Sequence, residues 1–265
     1  MWPMIGGLKT YTFVYIFSMF VYFALALFYC RRMGFARKVG VALSGCYVFG
    51  MAVGARILYD VLNHRFDGHN YLDLHYYFTD GLWGGPLAYL AVAVTGVALF
   101  GRNRAKLFDL VVLTLPIPMI LAKVACFVNG CCYGTPSDVP WALSFPVGGD
   151  APPGVPRHPT QLYEIIVLTV IAFALQGLRR ARQDGALLLW FVVLYGLGRP
   201  LTEWFRAPRD HVPSVGGFTA SQAACTAAAL IAAVMLLALR DRRAGGPWAR
   251  PVSDAADAAT RVGPP

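Results

Sequence analysis

Charged side chains inside apolar stretches are the first chemistry this sequence offers. Arg56, Asp60, Lys123, Glu164, Arg199 and Glu203 all fall within long runs of apolar residues. An ionised side chain at mid-bilayer costs roughly 2.5–3.5 kcal/mol on insertion scales, so each of these needs a reason. Tyr195, Arg199 and Glu203 are spaced by four, which places them on one helix face. Arg56 and Asp60 repeat that spacing. Opposite charges on inward faces make a polar pocket. A guanidinium there presents a planar fork that takes a phosphate or carboxylate through two parallel hydrogen bonds. The competing reading is that these side chains are interfacial and snorkel to water.

The elements that must position them are transmembrane helices. The chain has 265 residues, 57% hydrophobic and 14% charged, with a mean hydropathy of +0.53. A soluble domain carries about 25% charged residues. This composition excludes a soluble globular enzyme, a disordered chain and a nucleic-acid module. Six Cys are too few for a disulfide scaffold. A span needs about 20 mostly apolar residues. Seven stretches qualify: 10–29, 39–62, 82–100, 107–127, 159–178, 185–205 and 218–239. The first lacks the basic start and small-residue cleavage site of a signal peptide. Residues 1–240 therefore read as one all-α, seven-span membrane domain, and 241–265, rich in Ala, Gly, Pro and charge, as a disordered cytoplasmic tail. No repeat is visible.

Lys and Arg set the orientation. The links after spans one, three, five and seven, with the tail, hold fifteen of the 23 basic residues. The opposite side holds only Lys9, Arg65, Arg157, Arg206 and Arg209. The rule of basic cytoplasmic loops puts the N-terminus outside and the C-terminus inside. The net charge of +9 then reads as topology, with no nucleic-acid partner. In this orientation the six charges named above converge on the outer part of the bilayer. A phosphate met at that depth belongs to a phospholipid headgroup. Two long outer loops, 64–81 and 128–158, face the same side. Long loops of this kind more often carry function than serve as linkers.

Gly196, Gly198 and Pro200 surround Arg199, and proline removes one helical N–H. Two readings stand: a helix bent or opened at Arg199 to line a cavity, or glycines used for helix packing with an incidental kink. Cys126, Cys131 and Cys132 cluster at the outer end of span four. They read first as small packing residues. A disulfide, a metal site helped by a ligand such as His158, and a nucleophilic cysteine are the alternatives. The spacing is no standard zinc pattern, so neither a metal nor a cofactor is expected.

The ordered motifs resemble a known family. Phe127-Val128-Asn129-Gly130-Cys131-Cys132-Tyr133-Gly134 is similar to the Phe-x-Asn-Gly-x-x-Trp/Tyr-Gly core of bacterial prolipoprotein diacylglyceryl transferases. Arg157-His158-Pro159-Thr160-Gln161-Leu162-Tyr163-Glu164 matches that family's Arg-His-Pro-Ser/Thr-Gln-Leu-Tyr-Glu block. Tyr195-Gly196-Leu197-Gly198-Arg199, followed by Glu203-Trp204-Phe205-Arg206, resembles its Tyr-Gly-x-x-Arg and Glu-Phe-Phe-Arg segments. Gly54, Arg56, Tyr59 and Tyr11 are weaker matches. The resemblance covers nearly the whole chain in order.

What the resemblance implies is lipid-group transfer in the bacterial plasma membrane. Diacylglyceryl would move from phosphatidylglycerol, or a related phospholipid, to the thiol of a preprolipoprotein cysteine beside its signal peptide, and glycerol phosphate would leave. Such chemistry needs a cation on the phosphate and a base or positive field that favours thiolate. By resemblance Arg199 is the principal cation, and Glu203 and Tyr195 orient it. Arg157 and His158 shape the entrance. Asn129 and Gly130 line the headgroup site, and Tyr163, Glu164, Arg56, Gly84 and Gly85 complete the substrate-binding set.

Three departures distinguish this chain. The family's Arg-x-Gly-Asn before Phe127 reads Lys123-Val124-Ala125-Cys126, so lysine keeps the charge but loses the fork. Cys131 stands where the family has an acidic residue. The family's His-Gly-Gly reads Trp83-Gly84-Gly85, and tryptophan cannot take a proton. His69, His75 and His158 are the histidines that could replace it. The sequence thus supports a divergent transferase, with a catalytically weak phospholipid-binding paralogue as the alternative. A transporter is disfavoured by the lack of inverted repeats.

Overall fold

The computed structural model describes residues 4–5, 8–50, 104–145, 151–179, 185–207, 214–215 and 218–243. Seven helices lie in these residues: α1 Thr10–Met33, α2 Arg37–Phe49, α3 Arg104–Thr114, α4 Pro116–Asn129, α5 Thr160–Leu178, α6 Ala186–Trp204 and α7 Ala220–Arg243. Two antiparallel pairs of two-residue strands precede α1 and α7. They are β1 Met4–Ile5 with β2 Leu8–Lys9, and β3 Ser214–Val215 with β4 Phe218–Thr219.

Among the described residues five segments are long and apolar enough to cross a membrane: Thr12–Met33, Arg104–Asn129, Thr160–Leu178, Ala186–Trp204 and Ser221–Leu239. They coincide with five of the seven expected spans. Of span two only the part in α2 is described, and span three lies outside the described residues, as do Arg56, Asp60, Trp83, Gly84, Gly85, His69 and His75. The helices turn bulky apolar groups outward. Phe20, Phe173, Val234 and Leu237 are all at least 60% exposed. In water such faces would drive association; in hydrocarbon they cost nothing.

The inward face of α1 carries Tyr15, Tyr22, Ala26 and Tyr29, spaced by seven, four and three. Tyr22 stacks on Tyr47 of α2, with ring centroids 4.1 Å apart. α1 also packs on α3 and α4, α4 on α5, α5 on α6, and α6 on α7. Pro116 opens α4 at a position where its missing N–H is harmless.

Gly196 and Gly198 act in helix packing. A Cβ on Gly196 would lie 2.6 Å from the Cys225 carbonyl oxygen and 2.8 Å from Ala229 Cβ, both on α7. A Cβ on Gly198 would strike Val167 of α5. Helix α6 runs unbroken through Pro200. The packing reading of these glycines therefore holds, and the opened helix does not.

Two further differences concern charge. Helix α7 continues to Arg243, three residues into the stretch expected to be a disordered tail from 241. Asp109 is a further charge inside the fourth apolar stretch, beyond the six named from the sequence. It is buried, and its carboxylate accepts the backbone N–H groups of Gly185 at 2.7 Å and Leu188 at 3.1 Å. A carboxylate there satisfies orphan donors at the start of α6 and suits the positive end of its dipole.

Candidate functional site

The C-terminal ends of α4 and α6 meet the N-terminal end of α5, and the loop between α4 and α5 folds over them. Helix α4 stops at Gly130, whose φ of +73° is open to glycine without a Cβ penalty. The Gly130 N–H donates to the Phe127 carbonyl and the Cys131 N–H to the Cys126 carbonyl. This is the paired hydrogen bonding of a Schellman end. Gly130 thus has a structural role at the turn, and Asn129 is the last residue of α4.

The start of α5 clamps that turn. Thr160 Oγ1 donates to the Cys132 carbonyl at 2.5 Å, and Gln161 Nε2 donates to the Cys131 carbonyl at 2.7 Å. Both side chains are fully buried. The Pro-Thr-Gln part of the matched block is thus structural, and it sets where Glu164 falls one turn later.

Glu164 sits at the centre of a five-member charge cluster. Its Oε2 lies 2.6 Å from Lys123 Nζ, and its Oε1 3.3 Å from Arg199 Nη1. The other amino group of Arg199, Nη2, reaches Glu203 Oε2 at 2.5 Å. Arg206 Nη1 lies 3.5 Å from Glu203 Oε2 and 3.9 Å from Glu164 Oε1. Glu164, Arg199, Glu203 and Arg206 are each no more than 9% exposed. Among the described residues three cations, Lys123, Arg199 and Arg206, thus gather around two carboxylates. Guanidinium and ammonium donors held in such a cluster suit an anionic oxygen ligand.

This answers the snorkelling reading for Lys123, Glu164, Arg199 and Glu203: they pair with each other inside the bundle. Arg199 is held by the two glutamates, while Tyr195 stacks on Phe191 at 5.6 Å. Arg206 also belongs to the cluster, although by sequence it is one of the basic residues between the sixth and seventh apolar stretches. Its place as the last residue of the Glu-Trp-Phe-Arg segment was the available signal, and its backbone bridge to Gly134 puts it in the cluster.

The loop between α4 and α5 makes an aromatic cover. Tyr163 Oη accepts the Trp141 indole N–H at 2.7 Å and lies 2.9 Å from His158 Nδ1. His158 packs against Phe205, with ring centroids 5.1 Å apart. Arg157 Nη1 donates to the Gly134 carbonyl, and its guanidinium lies over the Tyr133 ring at 5.1 Å. Arg157 and His158 therefore belong to the loop beside the cluster, and neither appears among its ion pairs.

The three cysteines also meet here. The Sγ atoms of Cys126, Cys131 and Cys132 all lie within 4.8 Å of one another, and none is in a disulfide. Hydrogen bonds with Cys126 and Cys131, with the charges of Arg206 and Lys123, hold the Cys132 thiol well below the usual cysteine range against the effect of burial.

Comparison with known proteins adds the following. A family model described as prolipoprotein diacylglyceryl transferase matches residues 4–238. The phosphatidylglycerol–prolipoprotein diacylglyceryl transferase of Rhodospirillum rubrum is 37% identical over 144 residues, covering 49% of this chain and 51% of that protein. The enzyme of the same name from Geobacter sulfurreducens is 33% identical over 215 residues, covering 74% of this chain and 78% of that protein. The one from Brucella ovis is 35% identical over 180 residues, covering 62% and 59%. The match thus spans about half the length of the Rhodospirillum relative.

Proposed function

The chain belongs to the prolipoprotein diacylglyceryl transferase family, and we propose that it transfers diacylglyceryl from phosphatidylglycerol to a cysteine thiol of a prolipoprotein. The observation that carries this reading is the gathering of Lys123, Arg199 and Arg206 around Glu164 and Glu203 at the ends of three helices, a set of cationic donors that suits a phosphodiester headgroup.

In the reaction a thiolate sulfur forms a bond to a glycerol carbon, and the bond from that carbon to the phosphate oxygen breaks. Glycerol phosphate leaves with the electron pair, and the thiol proton goes to a base. Arg199 and its neighbours stabilise charge as it develops on the leaving phosphate. Fixed cations do this best where water is excluded, since they need no reorganisation. Glu164 and Glu203 position Arg199 from two sides. Arg157, His158 and Tyr163 border the entrance, and Asn129 lies beside the headgroup. Arg56, Gly84 and Gly85 complete the site by their motif positions.

Seven spans, an outside N-terminus and a cytoplasmic C-terminus belong to the same reading, as do the bacterial plasma membrane and the signal peptide of the acceptor. Lys and Arg placement supports the orientation. The test uses the full chain in phosphatidylglycerol vesicles with labelled glycerolipid and a lipobox peptide. Transfer to the peptide thiol, lost in Arg199→Ala with the fold retained, is the expected result. Phosphatidylglycerol that copurifies but never reaches a thiol would replace this reading with that of a lipid-binding paralogue.

A further inference from the structure

The thiol trio has no part in the proposed transfer, and its geometry is specific. Neighbouring side chains on an extended chain point to opposite sides. Cys131 and Cys132 are adjacent, yet both sulfurs join Cys126. The backbone makes this possible at Cys132, whose φ of +64° is uncommon for a residue with a Cβ. Thr160 and Gln161 hold the carbonyls of the two residues in place. We infer that Cys126, Cys131 and Cys132 form a three-thiolate site for a soft monovalent metal ion of the Cu(I) type.

Three observations carry this. An ion bound to three sulfurs at about 2.3 Å each holds them about 4 Å apart, and the trio lies within 4.8 Å. Small side-chain rotations close the difference. Thiolates select soft ions over calcium or magnesium. Among the described residues no histidine, carboxylate or further cysteine joins the group. Zinc requires a fourth ligand in a structural site, and a three-sulfur set suits Cu(I) better.

Charge agrees with the ligand count. Binding joins three cysteine sulfurs and one monovalent cation in a tris-thiolate complex of charge minus two, and each sulfur that was a thiol releases one proton. Arg206 hydrogen-bonds Cys132, and Lys123 lies one turn before Cys126 on α4. Both cations, shared with Glu164 and Glu203, thus stand beside the negative complex. Occupancy would also change the field at Arg206 and so at the neighbouring ion cluster. By sequence, packing came first for these cysteines, and a metal site was one of three alternatives. The assignment does not depend on the transfer reaction, because its readout is metal content.

The test loads the reduced full chain in detergent with Cu(I) under anaerobic conditions, in competition with a Cu(I) chelator. One equivalent per chain with three sulfur neighbours by X-ray absorption is the expected result. Cys131→Ser should lower affinity at least about a hundredfold, since even partners that merely support ligands are worth 10–100-fold. Cys126→Ser removes a different sulfur from within α4 and should do the same, so a turn disturbed in the first variant does not decide the outcome. Cys225→Ser, on α7, should leave binding unchanged. Affinity unaffected by the first two substitutions overturns the site. A disulfide among the three in protein isolated without reductant overturns it as well. Preferential retention of Zn(II) over Cu(I) overturns the choice of ion.

Discussion

Lys123 Nζ on α4 lies 2.6 Å from Glu164 Oε2 on α5, joining two helices that are separated in sequence by a long loop. The same carboxylate also faces Arg199 on α6. One glutamate therefore ties three helices together at the end where the proposed headgroup binds. Its loss and the loss of a cation have different consequences.

Glu164→Gln leaves Lys123 and two arginines facing Glu203 alone. Removing one partner of a buried ion pair costs about 3–5 kcal/mol. We expect a marked fall in the thermal midpoint of the detergent-solubilised protein. Adding Lys123→Met should restore part of it, because the uncompensated charge goes too. An unchanged midpoint in the single variant would mean that water already reaches the pair.

Arg199→Lys keeps the charge but loses the fork. Arg199 uses Nη1 for Glu164 and Nη2 for Glu203. An ammonium group is a point charge and cannot reproduce this planar arrangement. Transfer of labelled diacylglyceryl should fall by about 10²–10³, the scale seen when one donor to developing charge is lost. Near-native activity in Arg199→Lys would show that charge alone suffices.

Gly196→Ala tests the close approach of α6 and α7. The new methyl would sit 2.6 Å from the Cys225 carbonyl oxygen, and backbone cannot rotate away as a side chain can. Overpacking of this kind costs about 1–3 kcal/mol. The readout is thermal unfolding, with Gly177→Ala as the comparison, since a Cβ on Gly177 meets nothing within 4 Å. Equal midpoints for the two variants would contradict the packing role.

Asp109→Ala removes the carboxylate at the start of α6 and should cost about 0.5–2 kcal/mol, as loss of an N-terminal cap does. The residue lies at the far end of α6 from Arg199, which is thirteen positions beyond the N-terminal residue Ala186. KM for phosphatidylglycerol should therefore stay unchanged while the unfolding midpoint drops. A changed KM with an unchanged midpoint would place Asp109 in the site instead.

Much of the architecture was legible because a bilayer admits few solutions. Apolar runs of about 20 residues must be helices, since the backbone has no other way to satisfy its hydrogen bonds there. The five membrane-length helices follow from that alone. The spacing of Tyr195, Arg199 and Glu203 likewise placed two of the cluster's charges on one face. Composition could not separate Asp109 from its apolar neighbours, because its partners Gly185 and Leu188 are distant in sequence. It also could not choose between an opened helix and a packed one at Gly196, a choice that depends on how near α7 comes.

The residue types alone identify a helical membrane protein with a polar site built from charges that hydrocarbon would otherwise exclude. The requirement is one of solvation, and each residue type states it locally. Only the tertiary structure decided the partners: Glu164 as the shared carboxylate, Arg206 as a third cation, and three thiols gathered at one turn. Those relations depend on distances of a few ångströms between different helices and the loop that joins them. The Schellman turn at Gly130 and the clamp from Thr160 and Gln161 set the distances at the turn, and neither carries a charge that would have announced it.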